Sequence, residues 1–152
     1  GCPTILRIVG EVKNCPTFSL GRLDYDYQHE PILFGWMEKH HFYGNGKYLT
    51  SVWEIPKPHK SDLHPTMKPI ELNTNILLNS SLQNQIVLDI FGGSGSTLIA
   101  CEQTNRICYM MEIDPIYIDV IIARFEKFTG KKAILIENAN TISIGPTAGQ
   151  DI

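Results

Sequence analysis

Residues 88–97 read LDIFGGSGST, an apolar run that changes at once into a segment of glycines and hydroxyl residues. Residues 85–91, QIVLDIF, are apolar and β-branched, which predicts a buried strand, and residues 96–104, STLIACEQT, predict a helix. A turn that leaves a strand and opens a helix presents unpaired backbone N–H groups and the positive end of the helix dipole. Gly92, Gly93 and Gly95 would let a ligand approach this backbone closely, because they have no side chains to block it.

Two more strands are predicted after this turn, with a helix between them. Residues 107–113, ICYMMEI, and 133–137, AILIE, are apolar runs of strand length. Asp114 is a candidate helix N-cap before Pro115, and apolar residues follow at helical spacing until Gly130. Strands alternating with helices in this way predict an α/β fold with a parallel sheet and right-handed crossovers.

The first half of the chain is less regular. Strand-like segments occur at residues 4–13, 30–37 and 49–56. Asn45 and Gly46 predict a hairpin turn, and the prolines of residues 56–69 predict an irregular connection. A helix is predicted over residues 69–81, packed beside the first strand of the second half. Residues 138–152 are polar and lack helix caps, so we expect a flexible tail.

Composition excludes several classes of protein. The chain has 152 residues, a net charge of −3 and 43% hydrophobic residues, which predicts one globular domain without a generally basic surface. No segment approaches the roughly 20 apolar residues of a membrane span, and the first residues do not form a signal peptide, so a cytoplasmic protein is expected. Cys2, Cys15, Cys101 and Cys108 include no CxxC pair, and we expect Cys101 and Cys108 to be buried free thiols.

An acidic residue at the second strand end narrows the choice of ligand. Glu112 is where a carboxylate would accept hydrogen bonds from both hydroxyls of a ribose. The spacing from Gly93 is GxGxxL, so Leu98 replaces the third glycine of the dinucleotide fingerprint and argues against NAD or FAD. The turn and the acid together favour an adenosine-containing cofactor. The alternative is that the glycines are present only because the turn is tight, without any bound ligand.

Two long segments carry a family resemblance. Residues 64–72, HPTMKPIEL, and 87–125, VLDIFGGSGSTLIACEQTNRICYMMEIDPIYIDVIIARF, resemble the C-terminal half of a β-type DNA amino-methyltransferase. Residues 27–36 and 52–58 also resemble its middle region, and the closest likeness is to compact methylases of phages and mobile elements. The resemblance implies a Rossmann-like S-adenosylmethionine-dependent methyltransferase fold with a mainly parallel sheet, incomplete at the N-terminus. Residues 1–137 would then be the C-terminal part of the catalytic domain.

The same resemblance implies a binding site for S-adenosylmethionine. The methionine side would be formed by Asp89, Phe91, Gly92, Gly93, Gly95, Ser96 and Thr97. Glu112 would hold the ribose, and the neighbouring helix would close the site with Thr66, Lys68 and Pro69. The Lys68 ammonium can face the cofactor carboxylate. The alternative without a binding role is an exposed lysine on a proline-rich loop.

The resemblance is incomplete in its catalytic part. Enzymes of this family methylate the exocyclic amino group of adenine or cytosine through a DPPY, NPPY or SPPY segment, and this sequence contains none. Residues 114–117, DPIY, begin a helix on the ribose side, so no catalytic residue is assigned. We therefore expect a C-terminal fragment that does not methylate DNA alone. The alternatives are a non-catalytic cofactor-binding or scaffold module completed by a partner chain, and a nicotinamide-dependent oxidoreductase.

Double-stranded DNA is the partner that the resemblance implies for the full-length protein. Possible phosphate contacts are Arg22, Lys39, Lys57 and Lys60. Aromatic residues that would either stack on a base or pack in the core are Trp36, Tyr43, Tyr48 and Trp53. No metal site is expected, because no structural zinc spacing is matched by Glu38, His40, His41 and His59.

Overall fold

The computed structural model describes residues 7–12, 29–36, 39–44, 50–55 and 67–136. Within these ranges the chain forms five strands and three helices. In chain order they are β1 (Arg7–Val12), β2 (His29–Phe34), β3 (Val52–Glu54), α1 (Ile70–Ser80), β4 (Ile86–Asp89), α2 (Ser96–Thr104), β5 (Ile107–Met110) and α3 (Pro115–Thr129). The α/β fold class predicted from the sequence is confirmed.

The first three strands form one sheet with β1 in the centre. β2 pairs with β1 in antiparallel fashion, so that Arg7 lies opposite Phe34, and β3 pairs with β1 in parallel. Strands are therefore present within all three predicted segments. The predicted hairpin turn at Asn45 and Gly46 and the predicted tail of residues 138–152 lie outside the described residues.

The second sheet is the parallel pair β4–β5, which α2 connects. Ile86 lies opposite Ile107 and Leu88 opposite Tyr109. Beyond the last paired residues, the Met111 amide donates to the Asp89 carbonyl over 2.9 Å. Because the strands are parallel, both carboxyl ends lie at one edge of the sheet, where the turn after β4 meets the loop after β5.

Local sequence accounts for the helix ends. The Asp114 carboxylate accepts a hydrogen bond from the Ile116 amide at 2.9 Å, and Pro115 occupies the first turn of α3. Gly130 ends α3 with a φ of 73°. Asn105 ends α2 with a left-handed φ of 56°, a conformation that asparagine tolerates better than most side chains. The predicted start and end of α3 are confirmed.

One small apolar cluster joins the helices to the second sheet. Leu77 of α1 packs with Ala100 and Cys101 of α2, and Val87 and Cys108 lie against them from the strands. Both cysteines are free thiols, as predicted, and Cys101 is buried with 1% exposure, whereas Cys108 is only half-buried. Burial raises the pKa of both thiols, that of Cys108 to about 12, because a thiolate is disfavoured away from water. Both cysteines therefore act as small hydrophobic side chains here.

Two sequence expectations about this region are wrong. The strands were predicted to be buried, yet one face of the β4–β5 pair is exposed, including Leu88 at 67%. Alternating residues of each strand face either the helices or this open side, because strand side chains alternate between faces. Residues 133–136, predicted as part of a third strand, pair with no strand in the described part of the chain, and Ile134, Leu135 and Ile136 are exposed.

A buried arginine joins the C-terminal ends of α1 and α2. The Arg106 guanidinium donates to the Ser81 carbonyl at 2.7 Å, to the Ser81 hydroxyl at 3.2 Å and to the Thr104 carbonyl. Carbonyls at a helix C-terminus lack intrahelical partners and carry the negative end of the dipole, so a cation there is favourable. Arg106 thus holds the two helices side by side. Within the described ranges, no helix has the length and apolar character needed to cross a membrane.

Replacing Arg106 should lower the stability of the fold. Arg106→Met leaves the carbonyls of Ser81 and Thr104 without their donors, and we expect the free energy of unfolding to fall by about 2 to 3 kcal/mol. Urea denaturation followed by circular dichroism measures this loss. Lys132→Met is the control, because it removes an exposed ion pair with Glu126 and should change little. Equal effects of the two substitutions would contradict the role of Arg106.

Candidate cofactor-binding site

The turn between β4 and α2 is held by its own backbone. The Gly92 amide donates to the Met111 carbonyl and the Gly95 amide donates to the Gly92 carbonyl, both over 2.8 Å. Gly93 and Gly95 have φ angles of 53° and 77°, which residues with a Cβ adopt only at a cost. The turn therefore requires glycine at these two positions whatever it binds.

The three glycines have different neighbours. A Cβ on Gly92 would meet Met110 at 2.7 Å, and a Cβ on Gly95 would meet Ile121 of α3 at 3.2 Å. A Cβ on Gly93 would find its nearest neighbour, the Phe91 carbonyl oxygen, at 3.9 Å. The sequence interpretation gave all three glycines the same reason, close approach of a ligand. The structure supports open space at Gly93, whereas protein side chains already fill the space at Gly92 and Gly95.

Glu112 meets the glycine turn directly. One oxygen of its carboxylate, Oε2, accepts a hydrogen bond from the Gly93 amide at 2.7 Å. The other oxygen, Oε1, accepts from the amides of Ile113 at 2.8 Å and Asp114 at 3.0 Å. These bonds fix the carboxylate at the carboxyl ends of both strands. The structure thus brings together the acid and the turn that the sequence placed on neighbouring strand ends.

The segment before α1 contacts the turn from the other side. The Ser96 hydroxyl donates to the Lys68 carbonyl at 2.9 Å, and the Asn73 side-chain amide donates to the Thr97 hydroxyl at 3.3 Å. Pro69 is buried at the start of α1. The predicted neighbours Lys68 and Pro69 therefore lie beside the start of α2. Thr66, which was predicted to close the site with them, lies outside the described residues.

Asp89 and Phe91 flank the turn where it leaves β4. The Asp89 carboxylate accepts a hydrogen bond from the Phe91 amide at 3.0 Å, which braces the first peptide of the turn. The Phe91 side chain is 84% exposed, and Ile113 beside Glu112 is 97% exposed. Two apolar side chains exposed at the ends of adjacent strands offer a surface for a flat apolar ligand group.

The start of α2 is suited to a negatively charged group. Its N-cap is Gly95, which has no side chain, and no side-chain hydrogen bond caps the helix. The first turn contains no acidic residue. Amides at a helix N-terminus without a side-chain acceptor attract an anion, and the helix dipole adds to this attraction.

The sequence interpretation missed residues that support the site from α3. Ile121 packs against Gly92 and Gly95, and the Arg124 guanidinium donates to the Ser94 carbonyl. The two side chains are three residues apart and so share one face of the helix. Their helical spacing was visible in the sequence. What the spacing did not show is that this face of α3 meets the turn.

The side-chain contacts that the structure shows for the other described candidates lie outside this site. Lys39 is exposed, and Arg22, Lys57 and Lys60 lie outside the described residues. His40 packs against Trp36 with ring centroids 4.3 Å apart, and His41 stacks on Tyr43. Trp53 donates its indole N–H to the Thr50 carbonyl. Tyr48, Glu38 and His59 are not described, and the described ranges contain no group of three metal-ligating side chains.

Comparison with known proteins identifies the family. The sequence profile of a family described as DNA methylase, of the N-6 and N-4 amino type, matches residues 24–124 of this chain. This is more than half of the 152 residues. The chain belongs to the N-6/N-4 DNA methylase family.

Individual DNA methyltransferases are also similar to this chain in sequence. Type II methyltransferase M.HpaI of Haemophilus parainfluenzae is 34% identical over 94 residues, which are 59% of this chain and 30% of that protein. M2.MboI of Moraxella bovis is 28% identical over 141 residues, or 82% of this chain and 51% of that protein. The chain thus spans only 30% and 51% of the lengths of these two methyltransferases.

Solved structures confirm the fold of this DNA methylase chain. The structure of M1.HpyAVI in complex with SAM aligns with a TM-score of 0.67 and 27% identity. The alignment covers 80% of this chain and 63% of that one. The predicted methyltransferase fold is therefore confirmed, and so is the family that was predicted from the sequence resemblance.

The packing of α3 against the turn predicts that replacing Gly95 lowers stability more than replacing Gly130 does. Gly130→Ala should lower the free energy of unfolding by about 1 to 2 kcal/mol, because Gly130 has a positive φ but no atom within 4 Å of an added Cβ. Gly95→Ala has the same backbone strain and also displaces Ile121, which adds about 1 to 3 kcal/mol. Chemical denaturation of both variants without ligand measures the difference. Equal losses would show that α3 does not restrict the turn.

Proposed function

We propose that this chain binds S-adenosylmethionine and provides the cofactor part of the site of a DNA amino-methyltransferase. The observation that carries the proposal is the hydrogen bond between the Gly93 amide and the Glu112 carboxylate. It unites a glycine turn and an acid at the carboxyl ends of adjacent parallel strands. Open parallel sheets bind nucleotide-like ligands at such strand ends. Membership of the DNA methylase family and the SAM-bound structure of M1.HpyAVI support the choice of cofactor.

Each group of the site has a role in this proposal. The start of α2, with Ser96 and Thr97, faces the methionine carboxylate, because unpaired amides and the helix dipole favour an anion. The Lys68 ammonium faces the same carboxylate. Glu112 accepts the ribose hydroxyls, and the exposed side chains of Phe91 and Ile113 pack on the apolar adenine ring. Asp89 braces the turn through the Phe91 amide.

Bound S-adenosylmethionine supplies the methyl group of the reaction. The residues of this chain bind and orient it, and none of them is assigned to activation of the acceptor amino group. The sequence has no DPPY, NPPY or SPPY segment, and Asp114 of the DPIY sequence caps α3 instead. The acceptor in this proposal is the exocyclic amino group of adenine or cytosine. We assign double-stranded DNA as the macromolecular substrate, with phosphate contacts by Arg22, Lys39, Lys57 and Lys60.

A cofactor-binding module that contributes no chemistry is the second candidate function. It is favoured by the missing base-orienting segment in the 152 residues. The gene sequence directly upstream separates the two candidates, because a DPPY, NPPY or SPPY segment there would supply the base-orienting residues of a methyltransferase. Methyl transfer from radiolabelled S-adenosylmethionine to unmodified duplex DNA by this chain alone would exclude the module, whereas cofactor binding without transfer is expected of both candidates.

Calorimetric titration tests the cofactor assignment. The purified chain should bind S-adenosylmethionine and S-adenosylhomocysteine and should discriminate against NAD, because Leu98 stands where the dinucleotide fingerprint has a glycine. Circular dichroism establishes that the chain is folded under the same conditions. A folded chain that binds neither adenosyl ligand, or that prefers NAD, would contradict the proposal.

The role of Glu112 makes a separate prediction. Glu112→Ala should weaken S-adenosylhomocysteine binding by about 1 to 3 kcal/mol, because hydrogen bonds from the ribose to a charged acceptor are lost. Asp119→Ala, an exposed carboxylate on α3, is the control and should leave affinity unchanged. The titration is repeated with an analogue that lacks both ribose hydroxyls. An equal loss with that analogue would mean that Glu112 acts through the turn and not through the ribose.

A further inference from the structure

Arg124 reaches the glycine turn from the side of α3. Its guanidinium donates a hydrogen bond to the carbonyl of Ser94, in the middle of the turn. One helical turn earlier, Ile121 fills the space beside Gly92 and Gly95. The turn is therefore supported by one apolar and one charged contact from the same helix face. The Ser94 carbonyl, which would repel an anion, is engaged by Arg124.

The charge of Arg124 is in an electrostatically unfavourable place. The side chain is partly buried, and this burial lowers the pKa of its guanidinium. Within the described residues it makes no ion pair with a carboxylate. Its contact with Ser94 places it next to the start of α2, where the helix dipole is also positive. Arg106 has the usual arrangement instead, a guanidinium at helix C-terminal carbonyls.

An anion at the turn would compensate this excess of positive charge. We propose that Arg124 is a positioning residue for the anionic end of the cofactor. It holds the Ser94 carbonyl and keeps a positive potential behind the amides at the start of α2. The inference rests on the proposed binding of S-adenosylmethionine, whose amino-acid end carries a carboxylate. Arg124 does not touch the ligand in this proposal, since it acts through the turn.

Two ligands separate this electrostatic role from a purely structural one. S-adenosylhomocysteine has the amino-acid carboxylate, and 5′-methylthioadenosine keeps the adenosine and thioether but has no carboxylate. Arg124→Met should weaken binding of S-adenosylhomocysteine about tenfold or more. It should change binding of methylthioadenosine by less than about twofold. Arg124→Lys retains the charge and should restore most of the preference for the carboxylate ligand.

Calorimetry of the 152-residue chain with both ligands gives the result. Lys127→Met is the matched control, an exposed cation on α3 whose loss should leave both affinities unchanged. The inference would be overturned if Arg124→Met weakened binding of both ligands equally or weakened binding of neither. Binding of S-adenosylhomocysteine by the wild-type chain would still uphold the proposed function in that case. If Arg124→Met does not fold, Arg124→Lys decides, because loss of the carboxylate preference in that variant refutes a role of charge. A folded wild-type chain that binds neither ligand contradicts the proposed function and the inference with it.

Discussion

The hydrogen bond from the Gly93 amide to the Glu112 carboxylate joins the turn after β4 to the loop after β5. It forms only if the two strands are parallel and in register, and if the turn adopts positive φ angles at two glycines. Glu112 also accepts hydrogen bonds from the amides that lead into α3, so the same carboxylate fixes where that helix begins. The arrangement of the site thus depends on one acidic side chain that accepts from three backbone amides, one in the turn and two in the loop before α3.

Support for the turn comes from residues distant in sequence. α3 contributes Ile121 and Arg124, and the segment before α1 contributes the Lys68 carbonyl that Ser96 binds. These packing and hydrogen-bond contacts restrain the turn from both neighbouring segments before any ligand binds. Preorganised amides lose little conformational entropy on binding, which favours affinity for the anionic group that they attract. The open space at Gly93 is the position where the backbone remains approachable.

Among the described residues, the apolar core cluster lies on one side of the second sheet. Leu77, Ala100 and Cys101 pack between α1 and α2, and Arg106 secures the ends of both helices. The opposite face of β4 and β5 exposes apolar side chains such as Leu88. Sequence reasoning did not anticipate this, because a short apolar run has the same composition whether one face or both are covered. Residues 133–136 show the same difficulty, since strand-like composition does not create a pairing partner.

The sequence by itself determined the local elements and their type. Glycine is required where φ is positive, Asp114 caps a helix that starts with proline, and apolar spacing distinguishes α3 from the strands, all through interactions between near neighbours. The sequence also placed Glu112 at a strand end, from which a ribose-binding role was predicted. Only the tertiary structure showed that Met110 and Ile121 occupy the space beside Gly92 and Gly95, and that Arg124 reaches Ser94. These contacts join segments far apart in the chain, and such contacts depend on how helices pack, which local sequence pattern does not specify.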